Sequence, residues 1–201
     1  GVIAYQTGNH PQALGLIDRA IAIYPDNAAF FSNRGNALLA LGRSDEALDS
    51  YDRAIKLKPD YAEAYVNRGN VLQELRRPGE ALDTCDRAIK LKPDYAEAYF
   101  SRGNSLQELR RLDEALDSYD RAIELKPDYA EAYNNRGLVL KELKRLGEAL
   151  DSYVLALKLK PDYAEAHNNR GDALQDLKRL DEALDSYGLA IKREPDYAEA
   201  Y

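Results

Sequence analysis

The sequence predicts an all-α fold, a solenoid of antiparallel helix hairpins, on three observations. The heptapeptide Asp-Glu-Ala-Leu-Asp-Ser-Tyr stands at 45–51, 113–119 and 181–187, with near-copies at 79–85 and 147–153, so one 34-residue unit is used repeatedly. A fixed period of this size marks units that bury their apolar faces only against their neighbours. Within a unit, apolar residues recur at helical spacing in two separate stretches. A Lys-Pro-Asp closure such as Lys92-Pro93-Asp94 then ends the second stretch, because proline lacks an amide donor and restricts the residue before it. Length alone would admit one or two globular domains. The period replaces that prior with a single array over 1–201: a truncated unit at 1–27, whole units at 28–61, 62–95, 96–129, 130–163 and 164–197, and the opening of another at 198–201.

The unit 62–95 shows each element in order. Asp60 with Glu63 three residues on reads as an N-cap and capping box, which predicts a first helix from Tyr61 to Leu75. Arg76, Arg77, Pro78 and Gly79 are expected to form the turn, and a second helix runs from Glu80 to Leu91. Its acids come early and its Arg87 and Lys90 late, as the helix dipole favours. Tyr65, Gly69, Leu72 and Leu75 line one face of the first helix; Ala81, Leu82, Cys85, Ala88 and Ile89 line one face of the second. Glycine in a helix interior costs roughly 1 kcal/mol relative to alanine. Its return at Gly35, Gly69, Gly103, Gly137 and Gly171 therefore implies close helix approach, with Ala81 and Ala88 as the expected small partners of Gly69.

The pattern Tyr65, Gly69, Leu72, Ala81, Cys85, Ala88 and Pro93, repeated as Tyr99, Gly103, Leu106, Ala115, Tyr119, Ala122 and Pro127, resembles the tetratricopeptide repeat. The resemblance covers nearly the whole chain. It departs where Arg34, Arg68, Arg102, Arg136 and Arg170 stand at a position often leucine, where Cys85 replaces an aromatic, and where His167 replaces tyrosine. It implies a right-handed superhelical solenoid whose first helices line a concave groove for partners.

Composition bounds the function. The net charge is −7 and no basic run exceeds a pair such as Arg76-Arg77, so nucleic acid is discounted as a partner. No apolar stretch approaches membrane-spanning length, no signal-peptide pattern opens the chain, and a single cysteine fits a reducing cytoplasm. Chemistry is sparse. His10 and His167 lie far apart, Cys85 reads as a buried inert thiol, and the glycines sit on helices rather than in phosphate-binding loops. The expectation is no metal site, no cofactor and no catalytic residues, hence no enzyme in the array itself.

What remains is the surface of the first helices. Glu63, Val66, Asn67, Asn70, Gln73 and Glu74 lie outside the core stripe, and translation by one period builds rows. One row is Asn33, Asn67, Ser101, Asn135 and Asn169; a second is Asn36, Asn70, Asn104, Leu138 and Asp172. Asparagine is a mediocre helix former, and its amide offers the donor and acceptor that a peptide unit needs. The first row is similar at Asn33, Asn67, Asn135 and Asn169, with Ser101 breaking it, to the asparagine ladder in the repeat domain of O-GlcNAc transferase, which implies that it holds a peptide backbone. Solubility or local packing is the competing explanation. Glu63, Glu97, Glu131 and Glu165 on one side, and Glu74, Glu108, Glu142 and Asp176 on the other, predict a negative groove suited to a basic or neutral peptide, with Lys141 the one base on that face.

These readings make the chain a scaffold that binds an extended protein segment. The alternatives are the substrate-recognition arm of a larger enzyme, such as a glycosyltransferase, and a self-assembling array. Gly1 falls at the helix glycine of its unit and Tyr201 stops as a helix begins, so the sequence is expected to be a piece of a longer protein whose open ends associate end to end.

Overall fold

The computed structural model describes residues 9–193, and it divides after Ser105 into two compact units. Residues 198–201, the expected opening of a further repeat, and Gly1 lie outside the described residues, as does any contact made by the chain ends.

Unit 1 contains α1 (His10–Ile23), α2 (Ala28–Leu39), α3 (Ser44–Leu57), α4 (Ala62–Glu74) and α5 (Pro78–Leu91), and it ends within α6 (Ala96–Glu108). From α1 to α5 each helix packs on the next, and α2 also touches α4. The core joins Leu14 and Ile17 of α1 to Leu38, Leu48, Tyr51 and Leu72 around the small residues Ala37, Ala47 and Ala81. Unit 2 begins at the end of α6 and contains α7 (Leu112–Leu125), α8 (Ala130–Glu142), α9 (Leu146–Leu159), α10 (Ala164–Asp176) and α11 (Leu180–Arg193), again with consecutive helices packed and α8 touching α10. The described residues are helical hairpins throughout, as the period predicts. One leucine per repeat anchors the first helix: Leu38, Leu72, Leu106, Leu140 and Leu174 are all essentially inaccessible. Burying such a side chain contributes about 1.5–3 kcal/mol, and Leu72→Ala, which opens a cavity as well, would cost about 2–5 kcal/mol.

The helix ends depart from the sequence reading in two places. Asp60 is not an N-cap: Tyr61 occupies that position without a side-chain cap bond, and α4 starts at Ala62. Pro59 and Asp60 instead form a turn between α3 and α4, where proline's fixed φ suits the first corner position. Where asparagine stands at the N-cap in place of tyrosine the side chain does cap, as Asn27 Oδ1 accepts from the Ala29 amide at 3.0 Å. The second helix begins earlier than expected, at Pro78, which is favoured at the first helical position because that amide has no partner anyway. The turn before it is shorter. Arg76 adopts a left-handed φ of 57°, the Arg77 amide reaches back to Leu72 O at 2.9 Å and the Arg76 amide to Gln73 O at 2.9 Å, the Schellman closure of a helix.

The recurring glycine has a different partner from the alanines expected. A Cβ on Gly35 would meet the Tyr51 ring at 2.6 Å, on Gly137 the Tyr153 ring at 2.5 Å, and on Gly171 the Tyr187 ring at 2.5 Å. At these three positions the glycine admits an aromatic ring from the second helix, whereas at Gly69 the nearest atom is Cys85 Sγ at 3.1 Å. Ala81 contributes only its carbonyl oxygen, 3.6 Å from a Cβ on Gly69.

Candidate functional site

The surface of interest is where successive first helices meet, and in both units it is stitched by amides. In unit 1, Asn67 Nδ2 on α4 donates to Asn36 Oδ1 on α2 at 3.3 Å, and the same oxygen accepts from the Tyr51 hydroxyl at 2.5 Å. Between α4 and α6, the Ser101 hydroxyl donates to Asn70 Oδ1 at 2.6 Å, while Gln73 Nε2 donates to Ser101 O and Ser105 Oγ at 2.7 and 2.8 Å. In unit 2, Asn169 Nδ2 on α10 donates to Asn134 Oδ1 on α8 at 2.9 Å, and Asn134 Nδ2 reaches Asn135 Oδ1 at 3.3 Å and Glu165 Oε1 at 3.1 Å. Asn33, Asn36, Asn67, Asn70, Asn104 and Asn135 are half-buried, while Asn169 is buried. Asn104 and Asn135 have further partners.

In unit 1 the two rows are therefore cross-linked to each other, whereas in unit 2 Asn169 of the first row bonds Asn134, which lies in neither row. Each bond leaves an amide half-used. Asn36 and Asn70 spend their oxygens and keep their NH2 groups; Asn67 spends its NH2 and keeps its oxygen. An acceptor at Asn67 beside a donor at Asn36 matches the N–H and C=O that one extended peptide unit presents. Val66, which the sequence places with these residues, is instead buried against Ala88 and Ala98.

The acidic flank is tempered by a feature that the sequence reading missed. At each corner a lysine lies over the following tyrosine ring: Lys58 over Tyr61, Lys92 over Tyr95, Lys126 over Tyr129 and Lys160 over Tyr163, at 4.4–5.0 Å from the centroids. The signal was present as the Lys-Pro-Asp-Tyr spacing, which brings cation and ring together across the turn. Lys160 also pairs with Glu131 at 3.5 Å. Glu63 is exposed and Glu97 half-buried; burial first, and then these two carboxylates, push the Tyr95 phenol up to about 12. Tyr163 is raised in the same way by burial and then by Glu165 and Glu131. Lys141 is neutralised by Asp172 at 2.7 Å, and Glu142 takes Arg110 at 2.5 Å.

Cys85 is fully buried, and burial pushes its thiol up to about 12, so no thiolate forms near neutral pH. Among the described residues no cluster of histidine, cysteine and carboxylate side chains has the arrangement to hold a metal ion, and no helix is long and apolar enough to cross a membrane.

Comparison with known proteins agrees with this architecture. Models described as TPR repeat match residues 35–75, 108–144 and 137–178. Models described as tetratricopeptide repeat match 62–95 and 164–197, and also 16–49 and 84–117. A TPR repeat-containing thioredoxin, TTL4 of Arabidopsis thaliana, is 51% identical over 43 residues, 21% of this chain and 6% of that protein, so the chain spans only a small part of this relative. Among solved structures, YrrB, described as a TPR protein with an unusual peptide-binding site, is 28% identical with a TM-score of 0.69, covering 92% of this chain and 95% of its own. TTC0263, a thermophilic TPR protein of Thermus thermophilus, is also 28% identical with a TM-score of 0.73, covering 86% and 94%.

Proposed function

The chain belongs to the tetratricopeptide repeat family, whose fold serves as a protein-interaction scaffold and is typically non-catalytic, and we propose that its first-helix face holds an extended segment of a partner protein by the backbone. The observation that carries this reading is the half-used amide pair, Asn67 Oδ1 and Asn36 Nδ2, open beside each other and linked through their other atoms. A pair already fixed by a neighbour loses little side-chain freedom when a peptide docks. Recognition through the backbone, on near-identical repeats, gives broad and weak binding, about micromolar or weaker. Exposed acids such as Glu63 and Glu165 favour a neutral or basic segment over an acidic one, with Lys160 limiting the bias.

Asn33 and Asn67 are the informative positions. Asn169 is not, since its amide is buried against Asn134 and its loss would disturb the packing. Linear peptides selected by display on the whole chain, then titrated against N33A/N67A, test the reading. Each hydrogen bond removed from binding is worth about 0.5–1.5 kcal/mol, so affinity should fall about five- to 150-fold, while the melting midpoint moves little because the better helix propensity of alanine offsets the lost Asn67–Asn36 bond. Unchanged affinity with a lowered midpoint would reassign these amides to stability alone.

A further inference from the structure

In each unit an arginine of the first helix pairs with an aspartate of the preceding second helix, and one such rung is incomplete. Arg34 Nε donates to Asp18 at 2.9 Å, Arg68 to Asp52 at 2.6 Å, Arg102 to Asp86 at 2.7 Å and Arg136 to Asp120 at 2.5 Å. In every case the carboxylate comes from the second helix of the preceding repeat, 16 residues back. Arg170 continues the series, but 16 residues before it stands Val154. Its Nη1 keeps the bond to its own second helix, Ser186 Oγ at 2.9 Å, just as Arg34 bonds Ser50 and Arg68 bonds Thr84. Its Nε meets no carboxylate among the described residues.

The same substitution exposes apolar surface. Val154 and Leu155 replace the Asp-Arg pair of 52–53, 86–87 and 120–121, and they are 51% and 42% exposed. Val154 and Arg170 border a cleft of about 390 Å³ together with Leu150, Leu174 and Leu177. Two further charges line it. Arg179 is committed to Glu182 at 2.6 Å, and Asp151 is an acid in the wall.

We propose that this cleft binds a partner segment carrying one Asp or Glu beside an aliphatic residue. Its carboxylate takes at Arg170 Nε the place that Asp18, Asp52, Asp86 and Asp120 fill within the chain, and its aliphatic side chain covers Val154 and Leu177. The four internal pairs define the recognition chemistry, a single carboxylate oxygen on a guanidinium whose other end is already fixed, which is a strong charge-assisted geometry. Asp151 selects against a run of acids, because a second carboxylate would face it in a half-enclosed site. A ligand that is both singly acidic and apolar satisfies every wall.

The test is an NMR titration of the 201-residue chain with two capped hexapeptides, one centred on Leu-Asp-Leu and one on Leu-Asn-Leu. The acidic peptide should shift the methyls of Val154 and Leu177 and the Nε–H of Arg170, and bind at least tenfold more tightly than its amide counterpart. Val154→Asp restores the internal rung and should abolish binding while keeping the fold; Arg170→Gln, which keeps Val154 exposed, should weaken binding by at least tenfold. N33A/N67A should leave this binding unchanged, which separates the cleft from the first-helix face. Equal affinity for the two peptides, undiminished binding by Val154→Asp, or no shifts at millimolar peptide would overturn the proposal. Concentration-dependent shifts of Val154 without peptide, removed by Val154→Asp, would also overturn it by assigning the face to a second copy of the chain.

Discussion

In the repeat 62–95 the helix glycine lies over a sulfur atom, and in the repeat 130–163 it lies over a phenol ring. A Cβ on Gly69 would stand 3.1 Å from Cys85 Sγ; on Gly137 it would stand 2.5 Å from the Tyr153 ring. The ring brings a second demand that the thiol does not make. The hydroxyl of Tyr51 finds Asn36 and that of Tyr187 finds Asp172, but the residue at the same offset from Tyr153 is Leu138, which offers no acceptor, and the buried Tyr153 hydroxyl has no partner among the described residues. One position on the second helix thus sets the requirements at two positions on the first. The repeats are alike in outline and differ in what each tolerates.

The largest expected effect follows from the glycine. Gly137→Ala drives a methyl group into Tyr153, an overpacking cost of about 1–3 kcal/mol that outweighs the gain of about 1 kcal/mol in helix propensity. Gly69→Ala needs only a few tenths of an ångström from a sulfur, so propensity dominates and stability should hold or rise. Urea denaturation should lower the midpoint of Gly137→Ala and leave that of Gly69→Ala unchanged or raised. Adding Cys85→Tyr to Gly69→Ala should restore the penalty. If Gly69→Ala is as costly as Gly137→Ala, the aromatic account of the glycine fails.

A smaller effect comes from the hydroxyls. Tyr51→Phe removes a 2.5 Å bond to Asn36 and should cost about 0.5–1.5 kcal/mol. Tyr153→Phe removes a buried hydroxyl without a partner and should be neutral or stabilising by about 1 kcal/mol. A loss for Tyr51→Phe and no loss for Tyr153→Phe in the same denaturation assay is the expected outcome. Equal losses would mean that the phenol hydroxyl is not what distinguishes the two repeats.

The helices were legible because their signal is repetitive: five copies of one pattern fix the period, the pair of apolar faces and the glycine. What escaped depends on direction. Asp60 and Pro78 each have the right residue type for a helix start, yet only Pro78 opens one, and that outcome depends on the turn geometry around Pro59 and Arg76. Asn36 and Asn67 were legible as neighbours on a surface, but not as partners, because their bond crosses between repeats 31 residues apart. The arginines at 34, 68, 102, 136 and 170 were visible only as departures from a family pattern. Pairing each with position i−16 needs the packing of a first helix on the preceding second helix, and only then does Val154 become an interruption.

The smallest effect tests the one histidine in a tyrosine position. His167 stands where three other repeats have Tyr65, Tyr99 and Tyr133 and the repeat 28–61 has Phe31, and it is buried with Nε2 donating to Pro161 O at 3.1 Å and Nδ1 without a partner among the described residues. Burial lowers its pKa, the Pro161 carbonyl opposes this, and Arg170 and Arg193 lower it further. The folded chain therefore keeps the ring neutral at a pH where the unfolded chain, titrating near ~6.5, takes up a proton. With more protons bound in the unfolded state, stability rises with pH across that window: it is complete above about 6.5 and declines as pH falls toward the folded pKa. Glu46, Glu80, Glu148 and Glu182 are held below the ordinary carboxylate range by hydrogen bonds from Arg43, Arg77, Arg145 and Arg179, so their contribution is lost only in more acidic solution. Thermal midpoints of the parent and of His167→Tyr at pH ~7.5 and ~5.5, on either side of the unfolded value, isolate the histidine. The parent should lose more stability than the variant between these values, and identical losses would show that the ring titrates as freely in the folded chain as in the unfolded one.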